Sequence, residues 1–156
     1  MNEFPLEIPT RDCRIAIVAS EFNHFIVQQV VDGAFDALSR NGISEDDVSL
    51  VWVPGAYELP LAADVLAGRG DYDAIVAVGA VIRGGTPHFD YVAGECSRGL
   101  AQVNLKHALP VIFGVLTTDD VDQALERAGS GAGNKGFDTA IAALQMISLL
   151  DRIHAE

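Results

Sequence analysis

The chain has 156 residues, 49% of them hydrophobic, and 22 acidic against 10 basic residues give it a formal net charge of −12 at pH 7. This balance argues against nucleic-acid binding, which depends on basic patches. No apolar run approaches the roughly 20 residues that a membrane helix needs, so the apolar surplus predicts contacts between copies of the chain and hence a homo-oligomer. The length is that of one domain, and we expect residues 1–156 to form it.

The first twelve residues are expected to form an extended arm, because Pro5 and Pro9 disfavour regular structure there. The segment lacks the basic region and apolar core of a secretion signal, which favours a cytoplasmic protein. Cys13 and Cys96 show no metal-ligand spacing and no disulfide framework, so both are interpreted as reduced thiols. We expect the arm to cover a sheet edge of a neighbouring subunit.

Apolar strand-like runs alternate with helical patterns along the rest of the chain. Strands are predicted at Arg14–Ser20, Val48–Val53, Ala74–Val81 and Val111–Leu116, and helices at Phe25–Arg40, Glu58–Ala67, Tyr91–His107, Asp119–Ala128 and Phe137–Ile153. This alternation predicts an α/β fold, a three-layer αβα sandwich around a four-stranded parallel sheet. Because the strands are continuously apolar rather than alternating, we expect them to be buried on both faces.

Local signals mark several helix ends. Gly42 and Gly129 follow the first and fourth predicted helices as C-terminal stops. Thr117 or Thr118 is expected to cap the fourth helix. Asp119 and Asp120, at the start of that helix, suit the positive end of its dipole.

The segment from Gly79 to Tyr91 contains the most informative motif. After a buried strand come two glycines, Thr86 and His88, within a few residues of one another. Glycines let backbone N–H groups approach a ligand, and such groups together with a threonine hydroxyl hold phosphate. A histidine transfers protons near neutral pH. The loop follows the carboxyl end of a strand, where open α/β sheets bind ligands, so it predicts an anion site with acid–base chemistry.

Three residues outside this loop are further candidates for a ligand site, and each has both a structural and a functional interpretation. Phe22 is either ordinary loop packing or an exposed ring for a flat heterocycle. Glu58 either favours the start of its helix or accepts hydrogen bonds from ligand hydroxyls. Arg127 suits the last turn of its helix, and a phosphate-binding role for it requires Lys135 nearby.

One apparent phosphate motif is rejected. The segment Gly131–Gly136 satisfies the dinucleotide-binding glycine pattern, but it follows a helix rather than a strand. It also lacks the Gly-Lys-Ser/Thr sequence of a nucleotide-triphosphate loop, since Asn134 separates Gly133 from Lys135. The segment is interpreted as a turn between two helices.

Five blocks of the chain resemble the lumazine synthase family of riboflavin biosynthesis. They are Ala19–Asn23, Val53–Pro60, Gly79–Val92, Phe113–Thr118 and Glu126–Gly136, in order over nearly the whole chain. The resemblance implies a flavodoxin-like sheet and a transferase that condenses 5-amino-6-(D-ribitylamino)uracil with 3,4-dihydroxy-2-butanone 4-phosphate. The products are 6,7-dimethyl-8-ribityllumazine, phosphate and water. No cofactor and no metal is implied, because the diamine is itself the nucleophile.

The resemblance also implies residue roles. Phe22 stacks on the pyrimidinedione, Ala56, Tyr57 and Glu58 hold the ribityl chain, and the backbone at Val81 and Ile82 reads the heterocycle edge. Gly85 and Thr86 bind phosphate together with Arg127, and His88 transfers protons. Phe113, Arg127 and Lys135 are expected from the adjacent subunit. The family varies at the positions of Tyr57 and Gly85, which leaves the ribityl contacts of Tyr57 open.

The family assembles as pentamers or as shells of twelve pentamers, and the short turn after Gly129 favours the 60-subunit shell. A further partner that the resemblance suggests is riboflavin synthase.

The sequence leaves two alternative functions to consider. A non-catalytic flavin- or lumazine-binding shell needs no leaving-group site, so the presence of His88, Arg127 and Lys135 argues against it. A receiver-like signalling module is disfavoured because its acidic cluster and its lysine after the last strand are not recognisable.

Overall fold

A computed structural model describes residues 1–129 and 133–156 of the chain. The strands are β1 (Ile15–Ser20), β2 (Val48–Val53), β3 (Ala74–Ile82) and β4 (Val111–Thr118). The helices are α1 (His24–Arg40), α2 (Leu59–Gly68), α3 (His88–His107), α4 (Val121–Arg127) and α5 (Lys135–Ala155). Short 3₁₀ turns at Glu45–Asp47 and Ala56–Glu58 precede β2 and α2.

The four strands are parallel and lie in the order β2-β1-β3-β4. Alternate side chains of β1 face opposite layers: Ile15 and Ile17 pack with α1, α4 and α5, whereas Ala16 and Val18 pack with α2 and α3. This is the geometry of a strand buried on both faces. The predicted three-layer αβα sandwich is confirmed.

The prediction that every strand is buried on both faces is wrong for the two edge strands. β1 is buried throughout and β3 in all but its last residue, but β2 is only half-buried until Val53, and Ile112 and Phe113 of β4 are half-buried. The strand order leaves β2 and β4 at the two edges of the sheet. Apolar composition alone does not reveal which strands take those places.

The start of α4 differs from the prediction, because an aspartate and not a threonine caps the helix. The N-cap of α4 is Asp120, whose carboxylate accepts a hydrogen bond from the Gln123 amide (2.8 Å). Thr117 and Thr118 instead extend β4 alongside Val81 and Ile82 of β3. The expected threonine cap is therefore wrong. The glycine stops are supported, since Gly42 and Gly129 have φ values of +83° and +117°, where L-residues are strained.

The N-terminal segment, residues 1–14, contains no helix or strand and lies against α5. The Arg11 guanidinium donates hydrogen bonds to Asp151 (2.7 Å) and Asp73 (3.0 Å). Arg152 donates to the carbonyl of Pro5 (2.6 Å). The hydrogen bond from Arg11 lowers the pKa of Asp151 below its ordinary range. The base of the predicted arm is thus anchored by charge-assisted hydrogen bonds.

Both cysteines are free and buried. Burial raises the pKa of Cys96 to about 11 and also raises that of Cys13. Such thiols remain protonated at neutral pH, which keeps them unreactive. Among the helices in the described part of the chain, none has the length and apolar character needed to cross a membrane.

Candidate active site

The carboxyl ends of β1, β2 and β3 and the start of α3 enclose a cavity of about 590 Å³, here called the ring cavity. Its walls are largely apolar and aromatic, with two ionisable side chains, Glu58 and His88. Seven residues predicted from the sequence line it: Phe22, Ala56, Tyr57, Glu58, Val81, Ile82 and His88. Phe89, Tyr91 and Val92 of α3 complete one wall. No role was predicted for these three residues, although all of them belong to the Gly79–Val92 block.

Phe22 is held at the rim of the ring cavity by its neighbours' backbone. The amides of Glu21 and Phe22 donate to the carbonyls of Val53 (2.7 Å) and Pro54 (3.0 Å), which join this loop to the end of β2. Asn23 is left-handed (φ 61°), and its side chain donates to the carbonyl of Ala80 on β3 (3.0 Å). The Phe22 side chain itself remains 71% exposed. The ring is therefore not packed inside its own protomer, and its contact with a heterocycle stays a prediction.

His88 is the first residue of α3, three residues earlier than the predicted helix start. Pro87 is the N-cap, where its fixed φ suits entry into a helix and its ring supplies no side-chain cap. The backbone amide of Asp90 donates to the carbonyl of Pro87 (3.0 Å), whereas those of His88 and Phe89 have no acceptor among the described residues and are available to an anion. Gly85 and Thr86 lie exposed in the preceding loop, beside this terminus but outside the lining of the ring cavity.

Arg83 fixes the loop that precedes His88, a role that the sequence did not reveal. Its amide donates to the carbonyl of Thr118 (2.8 Å), and its side chain donates to Asp119 (3.1 Å). The guanidinium also lies 4.4 Å from the centre of the Phe89 ring and 3.6 Å from Asp90. These contacts join the β3–α3 loop to the end of β4 and pair the Arg83 charge with two carboxylates.

A second cavity of about 490 Å³ lies along β4, at the free edge of the sheet, between the end of α4 and the start of α5. It is here called the cation cavity. Phe113, Arg127 and Lys135 line it, together with the carboxylates Glu126 and Asp138. Ser130, Gly131 and Ala132 of the neighbouring turn lie outside the described residues, so the rejected phosphate motif and the turn length used to favour a shell are not tested.

Arg127 and Lys135 differ from most cations of the chain. Within residues 1–129 and 133–156, seven of the ten Lys and Arg side chains form ion pairs: Arg11, Arg40, Arg69, Arg83, Arg98, Lys106 and Arg152. Arg14 lies over the ring of Tyr72 instead. Among the described residues, Arg127 and Lys135 have no ion pair, and the Arg127 side chain donates to the carbonyl of Gln123 (3.3 Å). Two cations without an ion-pair partner in that part of the chain are suited to an anionic ligand.

The ring cavity and the cation cavity share no lining residue. Within one protomer, the aromatic surface with His88 and the pair of cations thus form two separate half-sites. Each half-site has one part of the chemistry predicted from the sequence. Across the described residues, no cluster of three or more His, Cys, Asp or Glu side chains is arranged to hold a metal ion.

A family model described as 6,7-dimethyl-8-ribityllumazine synthase matches residues 12–151, which is most of the chain. The chain belongs to the 6,7-dimethyl-8-ribityllumazine synthase family. Membership identifies it as a transferase of riboflavin biosynthesis that condenses the ribitylaminouracil with the butanone phosphate. The family also implies small-molecule substrates and an oligomeric assembly.

Proposed function

We propose that lumazine formation takes place where the ring cavity of one protomer meets the cation cavity of its neighbour. The observation that carries this proposal is the separation of the two half-sites within one chain. A reaction that joins a flat diamine to a phosphorylated ketone needs both surfaces at once. Two copies of the chain, packed with the β4 edge of one against the strand ends of the next, supply them together.

The ring cavity holds 5-amino-6-(D-ribitylamino)uracil. Phe22 stacks on the pyrimidinedione, a contact worth about 0.5–1.5 kcal/mol beyond simple burial. Backbone groups at Val81 and Ile82 recognise the edge of the heterocycle. Ala56, Tyr57 and Glu58 hold the ribityl chain, and the half-buried Glu58 carboxylate accepts hydrogen bonds from its hydroxyls.

The phosphate of the second substrate lies between two sources of positive potential. Gly85, Thr86 and the N-terminal amides of α3 come from the protomer that supplies the ring cavity. Arg127 and Lys135 come from the neighbour, whose Phe113 closes the site. Each charge-assisted hydrogen bond to phosphate contributes about 1.5–3 kcal/mol. The chain has a net charge of −12 and therefore repels an anion, but salt screens this repulsion beyond about 8–10 Å. The local contacts offset the repulsion that remains.

Catalysis rests mainly on holding the two substrates in register. The 5-amino group attacks the ketone, and loss of water gives an imine. Loss of the C3 proton and of phosphate from C4 leaves an enol, which tautomerises to a new carbonyl at C3. The second nitrogen attacks this carbonyl and closes the ring with loss of another water. His88 transfers protons during imine formation and elimination, which contributes about 10²–10⁴-fold.

The assembly proposed from the resemblance is a cytoplasmic pentamer that associates further into a 60-subunit shell. The acidic, apolar-rich composition supports an oligomer. The arm, residues 1–12, adds a strand to a neighbouring sheet while Arg11 anchors its base. Riboflavin synthase, which would consume the product, is the further partner proposed. Sedimentation velocity distinguishes a pentamer from a shell directly.

Steady-state kinetics of two variants tests the proposed site. The two substrates are mixed with the enzyme, and the lumazine is followed by its absorbance and fluorescence. His88→Ala should lower kcat without abolishing turnover, and Arg127→Ala should raise KM for the butanone phosphate alone. Arg40→Ala is the matched control, because Arg40 is also the last residue of its helix but lies outside both cavities.

An unchanged kcat for His88→Ala, with assembly intact, would remove His88 from the mechanism. Equal KM for the phosphorylated substrate in the wild type and Arg127→Ala would refute the phosphate role. Absence of any lumazine with the wild-type chain would favour the non-catalytic binding shell instead.

A further inference from the structure

One asparagine joins three segments around the cation cavity. The Nδ2 atom of Asn134 donates to the carbonyl of Gln29 on α1 (2.9 Å) and to that of Ala128 after α4 (2.9 Å). Its Oδ1 atom accepts from the amide of Phe137 in the first turn of α5 (3.1 Å). Both hydrogens of the amide and its oxygen are thus used, and the side chain is half-buried.

Asn134 also lies between the two cations in the fold. Its backbone pairs with Ala128 in an isolated antiparallel bridge, next to Arg127 on one side and Lys135 on the other. The hydrogen bonds with Ala128 and Phe137, together with this bridge, therefore fix the end of α4, which carries Arg127, relative to the start of α5, which carries Lys135. Asn134 itself lines the cation cavity.

Two glycines leave the space that this arrangement needs. A Cβ atom at Gly33 of α1 would collide with the side-chain amide of Asn134. A Cβ atom at Gly136 would collide with the carbonyl of Val30 on α1. Since the amide is held at three points, it cannot rotate away without losing a bond. The absence of a side chain at Gly33 and Gly136 therefore allows α1 and the start of α5 to approach this closely.

We propose that Asn134 is a positioning residue that sets the separation of Arg127 and Lys135 so that both reach one phosphate. The inference rests on the proposed phosphate role of these two cations. Helix capping alone does not account for the asparagine, because a cap needs only the acceptor oxygen. The two donor bonds are additional: one holds the Ala128 carbonyl, next to Arg127, and the other ties Asn134 to Gln29 on α1.

Asn134→Ser separates the two roles, because serine keeps a capping oxygen but cannot donate to both carbonyls. In the assembled enzyme, we expect Asn134→Ser to raise KM for the butanone phosphate by about tenfold, the scale of a small misplacement of binding groups. KM for the diamine should stay unchanged. The inhibition constant of inorganic phosphate should rise by the same factor. Asn104→Ala is the control, a half-buried asparagine that bonds to the Val111 amide (2.8 Å) outside both cavities.

A double-mutant cycle supplies the decisive comparison. If Asn134 acts through Arg127, its substitution should have little further effect on KM in an Arg127→Ala background. Fully additive effects, or equal rises of both KM values, would overturn the inference. An effect of Arg127→Ala without any effect of Asn134→Ser would overturn the positioning role alone. An Arg127→Ala enzyme with unaltered KM for the phosphorylated substrate would overturn both the phosphate role and the positioning that rests on it.

Discussion

The side chain of Arg83 donates a hydrogen bond to Asp119 (3.1 Å) and thereby joins two loops that follow neighbouring strands. Arg83 follows β3 in the loop that leads to His88, and Asp119 follows β4. The same guanidinium covers the ring of Phe89, a wall of the ring cavity. This ion pair and the hydrogen bond from the Arg83 amide to the Thr118 carbonyl (2.8 Å) together hold the start of the loop bearing Gly85 and Thr86.

Arg83→Ala should reduce activity more than stability. The two side chains are 48% and 70% exposed, so we expect the free energy of unfolding to change by less than about 1 kcal/mol. Loosening of the loop should lower kcat/KM about tenfold. Arg98→Ala, which breaks an exposed pair with Glu95 on α3, is the control for charge removal. Equal kcat/KM in both variants and the wild type would show that the pair has no role in the site.

Phe22 and Phe25 allow a matched test of the stacking surface. They are 71% and 74% exposed, but only Phe22 lines the ring cavity. Phe22→Ala should raise KM for the ribitylaminouracil by up to about tenfold, the equivalent of a lost stacking contact. Phe25→Ala should leave it unchanged. The account of the ring cavity fails if the two variants have the same KM for this substrate, as measured by lumazine fluorescence.

The hydrogen bond between Arg11 and Asp151 predicts a pH-dependent contribution to stability. The pKa of Asp151 is lowered in the folded chain from an ordinary value of 3.8, so the folded state favours the charged form. The contribution is fully present above pH 3.8 and is lost as the pH falls through the lower pKa of the folded state. Both side chains are 45% exposed, which limits it to about 1 kcal/mol or less.

Urea unfolding of Asp151→Asn against the wild type, repeated from pH 7 downward, measures this contribution. The difference in unfolding free energy should be constant near neutral pH and shrink toward zero in strong acid. Asp122→Asn provides a control, because Asp122 has no ion pair among the described residues. A difference that grows as the pH falls would contradict the assignment.

Much of the fold is predictable from the chain because long apolar runs and helical patterns alternate clearly. The strand Val48–Val53 has the predicted bounds, yet its partial exposure depends on its edge position, which no local pattern encodes. The threonine cap failed because Thr117 and Thr118 pair with β3. In that case tertiary pairing overrode a local preference.

The candidate site was predictable where motifs follow strand ends. The carboxyl ends of parallel strands meet at one edge, so Phe22, Glu58 and His88 were brought to one cavity. The roles of Arg83 and Asn134 were not predicted, since each depends on hydrogen bonds to distant segments. The separation of Arg127 and Lys135 from His88 was implied only by the family resemblance.

Complementation between two inactive subunits tests the shared site most directly. One variant combines Phe22→Ala with His88→Ala, and the other combines Arg127→Ala with Lys135→Ala. When they are co-expressed in equal amounts and assayed below KM, we expect about one quarter of wild-type activity, because one interface in four pairs two intact half-sites in a randomly mixed ring. Activity of the mixture no higher than the mean of the two parent variants would contradict a site built from two protomers.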